Sequence, residues 1–246
     1  DDICRFLDNN RDIATAYSSF ILSGDILQEL YSHLKVSDKT DKNILFRFLN
    51  KEFDEDLYSK LEQANELTDK KINLEKVFVD LNIINDEFYS YENKFVKFCL
   101  ENGNKMWKQE QYKMVFVGGP GQGKSTVTQF LTQIYRVNFI KTFGNKLSLE
   151  AKNFINENKE LNELAKCCRF PIRIILSDYS EWLNNRIKKE VSCSVLSYIQ
   201  YRIENRADEQ FSDFKNFRTF LEKLSFIFIF DGLDEVPLTS NRTEVI

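Results

Sequence analysis

Met114-Val-Phe-Val-Gly-Gly-Pro-Gly-Gln-Gly-Lys-Ser-Thr126 carries the pattern G-x-x-x-x-G-K-[ST] in full, from Gly118 to Ser125. An apolar run, about Lys113 to Val117, leads in and predicts a strand. Val127 to Tyr135 leads out and predicts a helix. Strand, glycine-rich loop and helix are the context in which this pattern means phosphate binding. The glycines let the backbone wrap with its N–H groups turned inward on an anion. The helix opening near Lys124 adds its positive dipole end to the same spot. The candidate nucleotide-binding residues are therefore Gly118, Gly119, Pro120, Gly121, Gln122, Gly123, Lys124, Ser125 and Thr126. Lys124 is expected to reach the β- and γ-phosphates, and the Ser125 hydroxyl is expected on Mg²⁺.

A second stretch, Ser225-Phe-Ile-Phe-Ile-Phe-Asp-Gly-Leu-Asp-Glu-Val-Pro237, is an apolar run that ends in an acidic cluster. Both faces of Phe226 to Phe230 are apolar, as expected of a buried parallel strand. Asp231 falls at its C-terminal end, where open α/β sheets bind ligands. A carboxylate there suits the Walker B role of holding Mg²⁺, directly or through water. Asp234 and Glu235 follow in the next turn. One or both are candidates for orienting and deprotonating an attacking water, which a general base must reach within hydrogen-bond distance.

GGPGQGKST followed by FIFIFDGLDEVP resembles the NACHT subgroup of the STAND nucleotide-binding ATPases. The D-G-x-D-E form, with Gly232 after the metal carboxylate and two further acids, is more specific than a general Walker B. Ile72 to Asn82 is similar to a short segment that bacterial NACHT proteins carry ahead of the loop. Phe170 to Trp182 is similar to their second core strand and the loop after it. The resemblance covers about residues 70–246 and implies a P-loop NTPase domain over that range. The fold expected is α/β, a parallel sheet flanked by helices, preceded by an α-helical region over residues 1–69.

The strand inventory predicts that this sheet is incomplete. Three strands are legible: about Lys113 to Val117, Pro171 to Leu176, and Ser225 to Phe230. The resemblance implies five, with the strand after Walker B inserted between the P-loop and Walker B strands. A sheet without its central strand leaves unpaired backbone groups in a core, which is costly. The polypeptide is accordingly expected to continue past Ile246, through the remaining strands, a winged-helix region and C-terminal sensing repeats.

Composition narrows the classes. The chain has 246 residues, is 42% hydrophobic and 29% charged, and so reads as globular rather than disordered. Net charge is −4 and no lysine- or arginine-rich stripe is present, which makes nucleic acid an unlikely primary partner of this region. No apolar run approaches the ~18 residues of a membrane span, and no signal peptide is visible. Cys4, Cys99, Cys167, Cys168 and Cys193 lack metal-ligand spacing. Reduced thiols in a cytoplasmic protein are the simple reading. His33 is the only histidine, which excludes histidine-based catalysis here.

Along the chain, helices are expected at Ile13 to Ile21, Ile26 to Leu34, and Ile44 to Leu67 with a break near Asp54. Ile44, Phe48, Leu49 and Phe53 fall at helical spacing and predict a packing stripe. Ile72 to Ile84 reads as strand-like, either a lead-in beside the adenine or an edge strand or linker. Further helices are expected at Asp86 to Lys108, Leu147 to Lys166, Ser192 to Asn205 and Asp213 to Leu224, the last capped by Ser212 or Asp213. Ser177 to Lys189 reads as a polar loop. Asp178 or Arg186 is a candidate phosphate sensor there, although a solvated loop is the favoured reading.

The favoured function is a slowly hydrolysing ATP/ADP switch with Mg²⁺ as cofactor, Lys124, Asp234 and Glu235 acting in catalysis, and Ser125 and Asp231 holding the metal. The resemblance implies nucleotide- and trigger-controlled self-oligomerisation, and antiphage defence if the source is bacterial. The trigger, of phage or cellular origin, would be sensed outside this region. Two other classes compete. An AAA-type motor or loader needs arginine fingers and pore loops, and neither is legible. A small-molecule P-loop kinase needs an acceptor pocket and an arginine-rich lid, whereas Asp231 to Glu235 suits water activation better.

Overall fold

Ile44, Phe48, Leu49 and Phe53 are all buried along helix α1 (Lys39–Glu55), as their spacing predicts. The helix ends one residue beyond Asp54, where a break was expected. This computed structural model describes residues 39–59, 72–82, 94–105, 115–119, 121–143, 146–187, 194–211, 217 and 224–236. The helices expected before Asp38 and at Asp213 to Leu224 lie outside those residues, apart from Phe217 and Leu224. The chain divides into two units: residues 53–168 belong to the first, and residues 39–52 with those from Arg169 onward belong to the second.

In the first unit, strand β1 (Tyr58–Ser59) pairs antiparallel with β2 (Ile72–Asn73). The strand expected over Ile72 to Ile84 stops there. Asn73 accepts a hydrogen bond from the Glu75 N–H and starts a single helical turn, α2 (Leu74–Val77). That cap outcompetes the period-two pattern of the segment. Residues 78–82 then run extended, and Asp80 accepts from the N–H of Val96 at 2.9 Å, at the start of helix α3 (Phe95–Lys105).

Helix α4 (Lys124–Thr142) is buried nearly all round. Phe130, Ile134, Val137 and Ile140 supply its apolar surface. Several of its polar side chains make hydrogen bonds to the segment that ends α1 and follows it. Gln133 donates to the Phe53 carbonyl at 2.8 Å, Gln129 to the Asp56 carbonyl at 2.8 Å, and Arg136 to the Asp56 carboxylate at 2.5 Å. Phe130 stacks on Phe78 with ring centroids 3.6 Å apart, and Phe154 lies 5.4 Å from Phe130. The helix expected over Leu147 to Lys166 is two, α5 (Leu149–Glu157) and α6 (Lys159–Leu164), divided at Asn158. Ser148 caps α5 by accepting from the Ala151 N–H.

In the second unit, strand β3 (Phe170–Ile175) pairs in parallel with β4 (Phe226–Asp231), Phe170 opposite Phe226 and Ile175 opposite Asp231. Parallel pairing needs a long crossover. It holds helices α7 (Leu176–Ile187) and α8 (Val195–Ala207), the second capped by Ser194. Helix α7 corrects the polar loop expected at Ser177 to Lys189. Tyr179, Trp182 and Leu183 recur at helical spacing and are buried, which decides the conformation over the polar composition around them. Phe48 of α1 stacks on Phe170 of β3 with centroids 6.0 Å apart.

Two further expectations are corrected. Residues 115–117 form no strand, and Val115 and Val117 are 86% and 94% exposed. The described residues offer this segment no ladder partner, and Phe116 packs on Phe95 with ring centroids 4.2 Å apart. Strand β4 is not buried on both faces: Phe228 and Phe230 are 43% and 56% exposed, while Ile172 and Ile174 on β3 are buried. The described architecture is thus a short two-stranded parallel sheet flanked by helices. Among the described residues no helix is long and apolar enough to cross a membrane.

Candidate functional site

The glycine loop ends where α4 begins. Gly121 and Gly123 hold left-handed conformations, φ +72° and +77°, which a residue with a Cβ adopts at a cost. Gly123 is the N-cap of α4; it has no side chain to cap the helix, and the first turn holds no acidic residue. The amino end of a 19-residue helix is therefore presented to the loop without a carboxylate of its own.

Within the loop, side chains hydrogen-bond the backbone. The Gln122 carboxamide oxygen accepts from the Gly119 N–H at 2.7 Å. It thus occupies one of the inward-turned N–H groups with an oxygen, the atom type that a phosphate would supply. A Cβ on Gly118 would lie 2.7 Å from that same oxygen, so the close approach depends on glycine. Lys124 folds back over the loop, its ammonium donating to the carbonyls of Gly118 at 2.7 Å and Gly119 at 3.0 Å. Ser125 is exposed in the first turn of α4, next to Thr126. Pro120 lies outside the described residues. Leu81 comes close to the loop, its Cδ1 lying 3.9 Å from where a Cβ on Gly123 would stand. The segment after α2 therefore passes beside the loop.

The acidic cluster belongs to the second unit. Asp231 ends β4 and is 7% exposed. Its Oδ2 accepts from Arg173 Nη2 at 2.6 Å and Nε at 3.1 Å. The parallel register sets Arg173 and Asp231 on one face of the sheet, since Arg173 stands opposite Ile229, two residues before Asp231. Gly232 follows with φ +78° and opens a 3₁₀ turn over Leu233–Glu235. The Glu235 carboxylate folds back over this glycine, its Oε2 only 3.0 Å from where a Cβ on Gly232 would stand. Glu235 is thereby brought next to the end of β4. Asp234 occupies the middle of the same turn.

Arg173 is the functional candidate that sequence reasoning missed. Its signal was a single charge inside the apolar run Phe170 to Leu176. A wider set of ion pairs, centred on the buried Glu52, connects to it. Glu52, 5% exposed, accepts from Arg202 at 2.9 Å and Arg206 at 3.0 Å. Arg202 in turn donates to the Arg173 carbonyl.

Asp178 and Arg186 sit on α7 rather than in a loop. They line a cavity of ≈ 590 Å³ with Trp182, Tyr198, Tyr201 and Arg202. The Arg186 guanidinium lies 5.0 Å from the Trp182 ring centroid, a cation–π contact that already occupies it. Burial pushes the Tyr198 hydroxyl up to about 12 and the Cys99 thiol up to about 12, so neither is ionised near neutrality. Cys99, Cys167 and Cys168 are free thiols. Among the described residues no group of three or more His, Cys, Asp or Glu is placed to hold a metal ion.

No family model matches the chain, and no curated protein or solved structure matches it.

Proposed function

We propose that this chain binds a nucleoside triphosphate with Mg²⁺ and hydrolyses it slowly, as the switch of a NACHT-type STAND ATPase. The observation that carries the reading is the conformation of the loop from Gly118 to Gly123. Two left-handed glycines, an uncapped helix start and a lysine turned over the loop carbonyls are what phosphate binding needs. The Gly119 N–H, taken by the Gln122 carboxamide oxygen, supports the fit: an acceptor oxygen is already accommodated where a phosphate oxygen would bind.

The donor set suits Mg²⁺. This ion takes hard oxygen ligands, keeps several waters, and uses one or two protein oxygens with substrate phosphates rather than an all-protein cage. The Asp231 carboxylate and the Ser125 hydroxyl are such oxygens, and the buried Asp231 already demands a cationic partner. When bound, the ion would neutralise charge developing on the transferred phosphoryl group. Lys124 would bind and orient the β- and γ-phosphates. Glu235, or Asp234 beside it, would hold the attacking water and take its proton. The Leu81 side chain would shield one side of the loop from water.

The rest follows from the resemblance that the two motifs carry. ADP would hold a closed form, and a trigger would permit exchange and self-oligomerisation in the cytoplasm. Antiphage defence is the role we assign if the source is bacterial. The test is made on the full-length protein as purified. Its nucleotide is released by denaturation and identified, and its mass in solution is recorded before and after adding ATP with Mg²⁺. Co-purified ADP on a protein that enlarges with ATP or a trigger is expected. Absence of nucleotide, with fast turnover stimulated by nucleic acid or with phosphoryl transfer to an acceptor other than water, would replace this reading with a motor or a kinase.

A further inference from the structure

We propose that Arg173 is the counter-ion of the buried Asp231, and that Mg²⁺ arriving at this carboxylate would compete with the guanidinium. The inference rests on the nucleotide and Mg²⁺ reading above and adds a residue to it. A buried carboxylate needs a cation, because an uncompensated charge away from water is strongly unfavourable. Arg173 supplies it: the two side chains are 9% and 8% exposed, and their closest approach is 2.6 Å. The two cations would therefore compete for one anion, so arrival of one is coupled to release of the other.

Both Nε and Nη2 of Arg173 donate to Asp231 Oδ2. The backbone at Arg173 is anchored independently, since Arg202 donates to its carbonyl and is itself held by Glu52 at 2.9 Å. Releasing Asp231 then requires movement of one side chain and no rearrangement of β3. Arg173 acts through Asp231 and is a positioning residue.

The experiment is a Mg²⁺ titration of full-length protein in the presence of ATP, followed by isothermal titration and by melting temperature. Arg173→Met should melt below wild type without Mg²⁺ and recover most of the loss when Mg²⁺ is added. Its half-saturating Mg²⁺ concentration should fall about tenfold, because the competing cation is gone. Arg173→Lys, which keeps the charge but pairs through a single point, should shift the same way by a smaller factor. This variant decides the matter if Arg173→Met does not fold. The double variant Arg173→Met/Asp231→Asn should fold without a buried charge and lose the Mg²⁺ response. An equal Mg²⁺ midpoint and an equal Mg²⁺-induced rise in melting temperature in wild type and either single variant would overturn the inference while leaving the functional reading intact. Wild-type protein that binds neither ATP nor Mg²⁺ would overturn the functional reading and this inference together.

Discussion

The glycine loop of the first unit and the end of β4 in the second are built on different physical terms. The loop is exposed, and its own side chains satisfy it through weak contacts: a carboxamide on an N–H and an ammonium on two carbonyls. Each is a hydrogen bond that water or a phosphate can replace at little net cost. Asp231 is buried and tied to another buried charge. There, removal of either partner strands an ion, and the cost is structural. Placing a lysine at the mouth of a helix and a carboxylate at the end of a strand thus produces one replaceable site and one that the fold depends on.

The largest expected effect tests that difference at its stronger side. Asp231→Ala leaves the Arg173 guanidinium buried without its carboxylate and should destabilise the protein by about 3–5 kcal/mol. Denaturant titration in Mg²⁺-free buffer measures it. Lys124→Ala should do the opposite: it strands no buried ion, so the loss of stability should stay at about 1–2 kcal/mol, below that of Asp231→Ala. Nucleotide affinity should fall about 10- to 100-fold, the loss of one or two charge-assisted hydrogen bonds. Calorimetry with ATP gives both numbers. Equal ATP affinity in the Lys124 variant would remove the phosphate-binding assignment, and equal stability of the Asp231 variant would erase the contrast between the two regions.

How much of this was legible depended on how local each feature is. The left-handed glycines at 121, 123 and 232 follow from residues a few positions apart, and the pattern places them directly. Both strands of the parallel pair announced themselves as short apolar runs, within a residue of their observed ends. Helix α7 did not, because Ser177, Asp178, Glu181 and the asparagines mask the stripe of Tyr179, Trp182 and Leu183. Exposure of Phe228 and Phe230 was also out of reach, since an apolar strand reads the same whether or not something covers it. The Arg173–Asp231 pair was the hardest to see. Its partners stand 58 residues apart, and the parallel register alone brings them together.

A middle-sized effect sharpens the comparison through the backbone. Gly123 and Gly232 both sit at positive φ, one in each region. A Cβ on Gly123 meets only Leu81 Cδ1 at 3.9 Å, an ordinary contact. Gly123→Ala should therefore cost only the conformational strain, about 1–2 kcal/mol. A Cβ on Gly232 meets Glu235 Oε2 at 3.0 Å. Gly232→Ala should carry the same strain and also push the Glu235 carboxylate aside. Slower hydrolysis with ATP binding preserved is the expected signature at Gly232, whereas Gly123→Ala should weaken binding itself. If both variants lost the same function to the same degree, the division of labour drawn between the loop and the strand end would fail.

The smallest effect concerns one carboxylate of the first unit, set against Asp56 of the same unit, which faces Arg136, and against the carboxylates of the second. In the second, Glu52 and Asp231 each face arginine. In the first, Glu75 of α2 is raised to about 7, first by burial and then by a hydrogen bond and charge repulsion from Glu157. A carboxyl with a raised folded value is bound more tightly to its proton in the native state. Its contribution is fully present below the ordinary carboxyl range, near 4.5, and is lost as pH rises through about 7. Glu75→Gln, which keeps the hydrogen-bonding capacity without the charge, should therefore gain stability relative to wild type at pH 8. The difference should vanish by pH 4. Because Glu75 is largely in contact with solvent, screening should reduce the gain to on the order of 0.5–1 kcal/mol. Denaturant titrations at the two pH values decide it. A gain that is equal at both, or larger at pH 4, would mean that the Glu75–Glu157 contact is not what sets the proton affinity of this lead-in segment.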